Sequence, residues 1–344
     1  MAVSVLFGGK SYEHEISIVS TISLAKVIEI EHFIFLDCDH QFYLIPSSLM
    51  NSKTFSSGEY KKCKKLTIKE RDFFYSGLLG DKALGVKKLL SVIHGGDGED
   101  GIISSLLEFY SIPFIAPRTK ACVVSFDKHL TKLYAQDRGV KVLPFELFAR
   151  SNPPKSLKQY PSIIKPLRLG SSIGVSVLES ESELEYALDG AFEYDECVLV
   201  EPFVAGVKEY NLAGYRNLEG EFVFSIVEEP KKSEFLNFEN KYLDFSRTEQ
   251  VCKAEISSEL ERALQEAFAK LYANCFEGAI IRCDFFVIDG EVYLNEINPI
   301  PGSMANYLFS DFKKVIDDVM MPSVRMIDVD YRYIGKIQRA KGKA

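Results

Sequence analysis

No Cys-x-x-Cys pair occurs in the 344 residues, and the seven cysteines, at 38, 63, 122, 197, 252, 275 and 283, are odd in number. That argues against a disulfide framework or a zinc knuckle and fits a reducing compartment, so the expected location is the cytoplasm. No apolar stretch reaches the roughly 18 residues that suggest a membrane span. The run Met1 to Gly9 is apolar, has no basic segment ahead of it and is too short for a signal peptide. Positive charge is also scarce. The formal net charge is -8 and the pI is near 5.4, a poor fit to nucleic acid, which needs a basic surface to displace counterions. Local basic runs at Lys61–Lys65 and after Arg332 read as solvated surface. Two phosphate-binding fingerprints are missing too. Gly9-Lys10-Ser11 mimics the end of a Walker A loop, but the required earlier glycine would fall at Ser4. No G-x-G-x-x-G opens a helix, which argues against a dehydrogenase.

What is present is a chain able to fold. Apolar residues make up 47% and charged residues 26%, which argues against global disorder. The length suggests two or three domains. Val3–Phe7 reads as a strand, followed by Gly8-Gly9 and a helix carrying Ile16, Val19, Ile22 and Leu24 on its apolar side, the start of an α/β unit. Further strands are expected at His32–Asp37, Phe42–Pro46, Leu89–Ile93 and Ile112–Ile115, while 51–80 reads as polar and irregular. This α/β domain is expected to end at 117. A helix over Cys122–Arg138 closed by Gly139, strands at Ser162–Lys165, Val175–Leu178 and Cys197–Glu201, and a Ser182/Glu185 capping box suggest a small α+β domain over 118–205. Past 206, strands at Tyr210–Tyr215 and Glu221–Val227, a polar loop at Pro230–Gln250, a helix capped by Ser258 and Glu261, and a hairpin of Ala279–Ile288 with Glu291–Asn298 make a third domain over 206–344.

That hairpin carries the strongest chemical signal, Arg282-x-Asp284 followed by Glu296-x-Asn298 and Pro301-Gly302. Mg²⁺ takes hard oxygen ligands, usually a few carboxylates plus substrate phosphates. Residues i and i+2 of a strand share a face. Whether the two pairs share one face depends on register. A two-residue Asp289-Gly290 turn puts them on opposite faces; a three-residue loop including Ile288 aligns them and sets Arg282 across from Glu296. That odd loop, or a bulge with the same effect, is expected. Charges within such apolar strands need a reason, and a metal supplies one.

Three further motifs are weaker alone. Gly170-Ser171-Ser172-Ile173-Gly174, between strands and preceded by Lys165, lets backbone N–H groups approach phosphate, or is a plain flexible turn. His94-Gly-Gly-Asp-Gly-Glu99-Asp100-Gly101 holds four glycines in eight residues, suited to unusual backbone angles beside a ligand. His94 there is an acid or base, or a structural hydrogen-bonder. Ser11-Tyr12-Glu13-His14-Glu15 opens a helix, where Glu13 and Glu15 bind a ligand or merely complement the helix dipole.

Taken together, H-G-x-x-G-E-D-G at His94–Gly101, K-P-x-x-x-G-S-S at Lys165–Ser172 and R-x-D…E-x-N-x-x-P-G at Arg282–Gly302 resemble the D-alanine–D-alanine ligases of the ATP-grasp superfamily, over the chain to about residue 315. The resemblance implies an ATP-grasp fold, with an N-terminal Rossmann-like domain and two further domains sandwiching ATP. It implies ATP-driven joining of two D-alanines through an acyl-phosphate, two Mg²⁺ (or Mn²⁺), a homodimer, and no nucleic-acid or membrane partner. Carried over by residue, Lys128 and Lys165 contact ATP phosphates, beside Ser172 of the glycine loop. Glu201 and the backbone near Val204 hold the adenine edge, Glu209 the ribose, and Lys241 the γ-phosphate. Asp284, Glu296 and Asn298 bind the metals. Glu13 takes the ammonium of the first D-alanine with help from Ser171 and Tyr242, and His94 lies beside the substrate. Arg282 and the Gly302 N–H face the oxyanion, and Tyr307 and Leu308 contact the second D-alanine. Relatives often carry serine where Tyr307 stands, so the hydroxyl is displaced by a ring. Relatives making a D-alanyl-D-lactate ester commonly have phenylalanine at 242, so Tyr242 favours amide formation. The loop 230–250 is expected to close as a lid carrying Lys241 and Tyr242. The tail after Ile316 does not match.

Overall fold

A computed structural model describes residues 2–69, 71–230, 251–322 and 329–341. Lys241, Tyr242 and the expected lid lie outside the described residues.

Three sheets organise the chain. The first has eight strands in the order Gly80–Ala83, Asp72–Gly77, Lys64–Lys69, Phe42–Ile45, Ile30–Leu36, Val3–Gly8, Leu89–Ser91, Phe114–Ile115. The last four are mutually parallel; the others add antiparallel strands at one edge. Val3–Gly8 is buried throughout, as a parallel strand covered on both faces must be. The segment read as irregular, 51–80, thus holds two of these strands and begins a third. Their signal was masked because Gly80–Ala83 is exposed along its length and Lys64–Lys69 buries only Leu66 fully.

The second sheet is antiparallel, in the order Glu146–Ala149, Cys197–Pro202, Ser162–Pro166, Ser176–Leu178. The third runs Phe222–Glu228, Lys208–Arg216, Ile281–Ile288, Glu291–Asn298, Lys141–Val142. Its last member comes from between the first two sheets in sequence, and Ala121, Ala135 and Val140 join the core under this sheet. The expectation of mixed α/β and α+β structure therefore stands.

Local chemistry moved three helix ends. The helix expected over Cys122–Arg138 is two, Thr119–Phe126 and Lys128–Asp137. Asp127 breaks the run because its carboxylate accepts the Leu130 N–H and caps the second helix. The Ser182/Glu185 capping box does not form; Ser182 lies within a 3₁₀ turn and its hydroxyl bonds Ser180. The helix Ser258–Tyr272 is capped by Ser257 rather than Ser258, through the Leu260 N–H.

Candidate active site

Strand alternation sets the first row of the site. In Ile281–Ile288, the side chains of Ile281, Cys283 and Phe285 pack with Leu264 and Phe268 in one core, so Arg282 and Asp284 face the other way. Arg282 grips Asp284 with two bonds, 2.7 Å from Nε and 2.8 Å from Nη2. Asn298 donates to the same carboxylate at 3.0 Å. The paired strands place Arg282 opposite Asn298 and Asp284 opposite Glu296, not Arg282 opposite Glu296 as expected. The turn has two residues, Asp289 and Gly290, with φ of 51° and 80°, which matches the I′ hairpin preference. Alone it would split the two pairs between faces. A bulge at Asn295, where Asp284 pairs with Glu296 but Phe285 with Leu294, restores the shared face.

Burial drives the Asp284 carboxyl up to about 6 against the pull of Arg282, and Glu296 adds to the rise. Burial would lower the Arg282 guanidinium, but Asp284 holds it well above its ordinary range. Its Nη1 donates to the Tyr307 hydroxyl at 3.0 Å. Tyr307 and Leu308 are buried in the turn Gly302–Leu308. Behind Gly302, Ser303, Met304 and Ala305 have φ of 47°, 54° and 51°, three left-handed non-glycine residues in a row. Each costs of order 1–2 kcal/mol, so the surrounding packing must hold the turn. Part of that hold is the Ser303 N–H donating to Ser20 Oγ at 3.3 Å.

Lysines from the second sheet and its preceding helix face this row. Lys165 Nζ lies 2.9 Å from Glu201 Oε2 and 3.4 Å from the bulge residue Asn295. Burial works against its charge, but Glu201 raises its pKa above the usual lysine value. Glu201 also pairs with the buried Lys132. The residue expected at the adenine edge thus also pairs with two lysines, buried Lys132 and half-buried Lys165. Lys128 donates to the Leu169 carbonyl; burial lowers its pKa, opposed by the nearby Glu296. Glu209 lies within electrostatic reach of Lys165. Val204 is half-buried in a turn closed by the Val207 N–H at 3.3 Å.

Glu13 is buried between two glycine segments. Ser171 donates to it at 2.6 Å, so the expected Glu13–Ser171 partnership is present. A Cβ at Gly95, with φ of 63°, would stand 2.5 Å from Glu13 Oε2, and one at Gly170 would stand 2.9 Å from Oε1. Both loops lack side chains where the carboxylate needs space. Ser171 and the exposed Ser172 take φ of 54° and 56°.

His94 is buried, with Nε2 3.2 Å from Ser20 Oγ and Nδ1 3.8 Å from Glu99. Burial pushes its pKa down to about 4, so it is neutral at pH 7. Between pH 6.5, the ordinary value, and about 4, the unfolded chain binds a proton that the folded chain refuses. Folding stability contributed by this site is therefore full above pH 6.5 and is lost as pH falls toward 4. At 1.36 kcal/mol per pKa unit the loss is of order 3 kcal/mol. Urea unfolding of wild type and His94→Gln at pH 7 and pH 5 should show a shallower pH slope in the variant; equal slopes would contradict the assignment.

Four site residues escaped the sequence reading as functional groups. Glu99, raised well above the usual carboxylate range by burial and then by Glu13, lay inside a quoted motif. Lys132 sits four residues after Lys128, one helical turn on, and that spacing could have found it. Ser20 and Asn295 gave no local signal, since one is defined by a distant loop and the other by a bulge.

Two family models match this chain, "D-ala D-ala ligase N-terminus" over residues 2–117 and "D-ala D-ala ligase C-terminus" over residues 135–319. The chain belongs to the D-ala D-ala ligase family. It is 58% identical to the D-alanine--D-alanine ligase of Wolinella succinogenes and 57% to that of Helicobacter hepaticus, each comparison covering 100% of both chains. The crystal structure of the D-alanine-D-alanine ligase from Helicobacter pylori is 50% identical, with a TM-score of 0.83, over 92% of this chain and 96% of that one. A D-Ala:D-Ser ligase from Enterococcus faecalis, at 23% identity, 92% and 98% coverage and a TM-score of 0.72, shares the fold. The fold is thus the ATP-grasp fold of this family. No helix among the described residues is long and apolar enough to cross a membrane, and all seven cysteines are free.

Proposed function

We propose that this chain joins two D-alanines into D-alanyl-D-alanine, a peptidoglycan precursor, and converts ATP to ADP and phosphate through D-alanyl phosphate. The observation that carries the reading is one shared strand face, bearing Arg282, Asp284, Glu296 and Asn298, set against Lys128, Lys165 and Glu13. A carboxylate is a poor electrophile, and phosphorylation makes it one. Lys128, Lys165 and Arg282 spread charge on the transferring phosphoryl group. Lys241, from the loop outside the described residues, joins them in this proposal. Glu13, supported by Ser171 and by Tyr242, holds the ammonium of the first D-alanine. The second amine attacks the acyl carbon, and Arg282 with the Gly302 N–H stabilises the resulting oxyanion. Tyr307 and Leu308 flank the second D-alanine. His94 holds this wall through Ser20, which also accepts from Ser303. The nucleotide lies beside Lys165, with Ser172, Val204 and Glu209 near its ends and Glu201 acting through the two lysines it pairs.

The donor set fits a divalent cation. Asp284, Glu296 and Asn298 offer hard oxygens, and the Asp284 carboxyl, raised by burial and by Glu296, gains from a positive charge beside it. These three residues would hold two Mg²⁺ (or Mn²⁺), which neutralise charge on the phosphate oxygens. Among the described residues no group of three or more His, Cys, Asp or Glu side chains could hold a metal ion by itself. If divalent cations neutralise the phosphate charge as proposed, an effect worth several kcal/mol, chelation should reduce ADP release by about 100-fold, with recovery on adding Mg²⁺. Unchanged turnover in excess chelator would remove the metals from the account.

The three functional units are 1–117, which binds the first amino acid, 118–205, which covers the nucleotide, and 206–344, which holds the metals. A cytoplasmic location agrees with the free cysteines. The homodimer rests on the family alone, and a monomer in sedimentation at working concentration would exclude it. The acyl-phosphate itself is tested with D-alanine labelled with ¹⁸O in its carboxylate. One label should appear in the released phosphate; unlabelled phosphate would exclude the intermediate.

A further inference from the structure

A cavity of about 1010 Å³ lies between the first sheet's loops and the second sheet. Lys10, Tyr12 and Glu13 line one wall, and Arg168, Tyr194 and Asp195 the other. Among the described residues its wall includes Glu13 but not Lys165, Asp284 or Glu296. It therefore reaches the amino-acid anchor and not the nucleotide end of the site. Carboxylates and cations both face it, which suits a small zwitterion better than an anion such as a nucleotide.

Tyr12 and Tyr194 both line this cavity and are both exposed to solvent, which puts them at its outer edge. The rings of Tyr12 and Tyr194 meet edge to face, 5.5 Å between centroids and 79° between planes. The residue following each ring is anchored to the site. Tyr12 precedes Glu13, whose carboxylate Ser171 reaches across from the glycine loop. Tyr194 precedes Asp195, which Arg168 binds at 2.6 Å and 3.1 Å through its guanidinium and at 2.9 Å through its backbone N–H. The Tyr194 ring also lies on the end of the glycine loop. A Cβ on Gly174, where φ is +70°, would come within 2.8 Å of it.

We propose that this cavity is the path by which a zwitterionic α-amino acid reaches Glu13, and that the Tyr12–Tyr194 contact closes its mouth against water while the acyl-phosphate exists. The inference rests on the function proposed above. In the productive step the amine nitrogen bonds to the acyl carbon, and the bond from that carbon to the bridging oxygen breaks. The ammonium has by then lost one proton to solvent, and phosphate leaves with the electron pair and takes up the second amine proton. Water admitted through the mouth would attack the same carbon, break the same bond and release D-alanine and phosphate, with its proton passing to solvent. ATP would then be consumed without a dipeptide. The two tyrosines are positioning residues, since neither is placed on a reacting atom.

The test measures ADP and D-alanyl-D-alanine together, for the full chain, at low and high D-alanine. Wild type should release one ADP per dipeptide. Tyr12→Ala and Tyr194→Ala should each raise that ratio at least twofold, most at low D-alanine, where the second amine competes least well with water. Tyr12→Phe and Tyr194→Phe keep the ring edge and should restore a ratio near one. If an alanine variant fails to fold by circular dichroism, Tyr12→Leu, which keeps apolar volume without the ring, takes its place with the same expectation. A ratio of one in the alanine or leucine variants overturns the inference, as does a raised ratio in the phenylalanine variants. A wild type that forms no dipeptide from D-alanine overturns the proposed function instead, so the two failures are distinguishable.

Discussion

Replacing Arg282 with methionine should lower kcat by 100- to 1000-fold, the loss expected for one oxyanion donor, about 2.7–4 kcal/mol. Two of the Arg282 donors are fixed on Asp284 and a third on Tyr307, so the guanidinium is held in one orientation before substrate arrives. Such preorganisation makes a donor effective at the moment charge develops. Lysine cannot reproduce the fork, so Arg282→Lys should recover little. The methionine variant should also be less stable by about 3–5 kcal/mol, because it leaves the buried Asp284 carboxylate without its cation. Steady-state kinetics and urea unfolding on the same preparation separate the two effects. A kcat within tenfold of wild type would remove Arg282 from the chemistry, whatever happened to stability.

Glu201→Gln should be among the most destabilising single changes outside the apolar cores, again by about 3–5 kcal/mol. Glu201 is buried beneath Lys132 and Lys165, one carboxylate between two ammonium groups. The amide keeps the shape and removes the charge, so buried Lys132 and half-buried Lys165 would face one another without compensation. Burial already pulls Lys132 below the usual lysine range, and loss of Glu201 would pull it further. A residue serving only the adenine edge would behave differently: stability would hold and the KM for ATP would rise alone. A fall in the urea midpoint supports the ion cluster, and an unchanged midpoint restores the simpler reading.

These two residues also mark how far the sequence could be read. Arg282, Asp284, Glu296 and Asn298 are polar residues interrupting apolar strands, and burial of charge demands partners, so their importance was visible in one dimension. Their shared face was expected as well, through a three-residue loop or a bulge, but the residue at which it is achieved was not. The sharing of one face depends on the extra residue Asn295, and a bulge leaves no composition signal when its residue is an ordinary asparagine. Glu13 and Ser171, 158 positions apart, could be joined only through the family resemblance. Glu201 was legible as a site residue through that resemblance, yet its partner Lys132 looked like one more helical lysine. The parallel core strands were legible because continuous apolar runs mark strands buried on both faces. The edge strands of 51–80 were not, because exposed edges need little apolar patterning. The break at Asp127 shows the same limit from the helical side, where one capping carboxylate outweighed a continuous helical pattern.

The measurement that tests the account most directly is ADP release by the purified protein with ATP, Mg²⁺ and either D- or L-alanine, with the product identified by mass and chirality. ADP release should require D-alanine and match the D-alanyl-D-alanine formed. ADP release indifferent to D-alanine, or equal with L-alanine, would contradict the account.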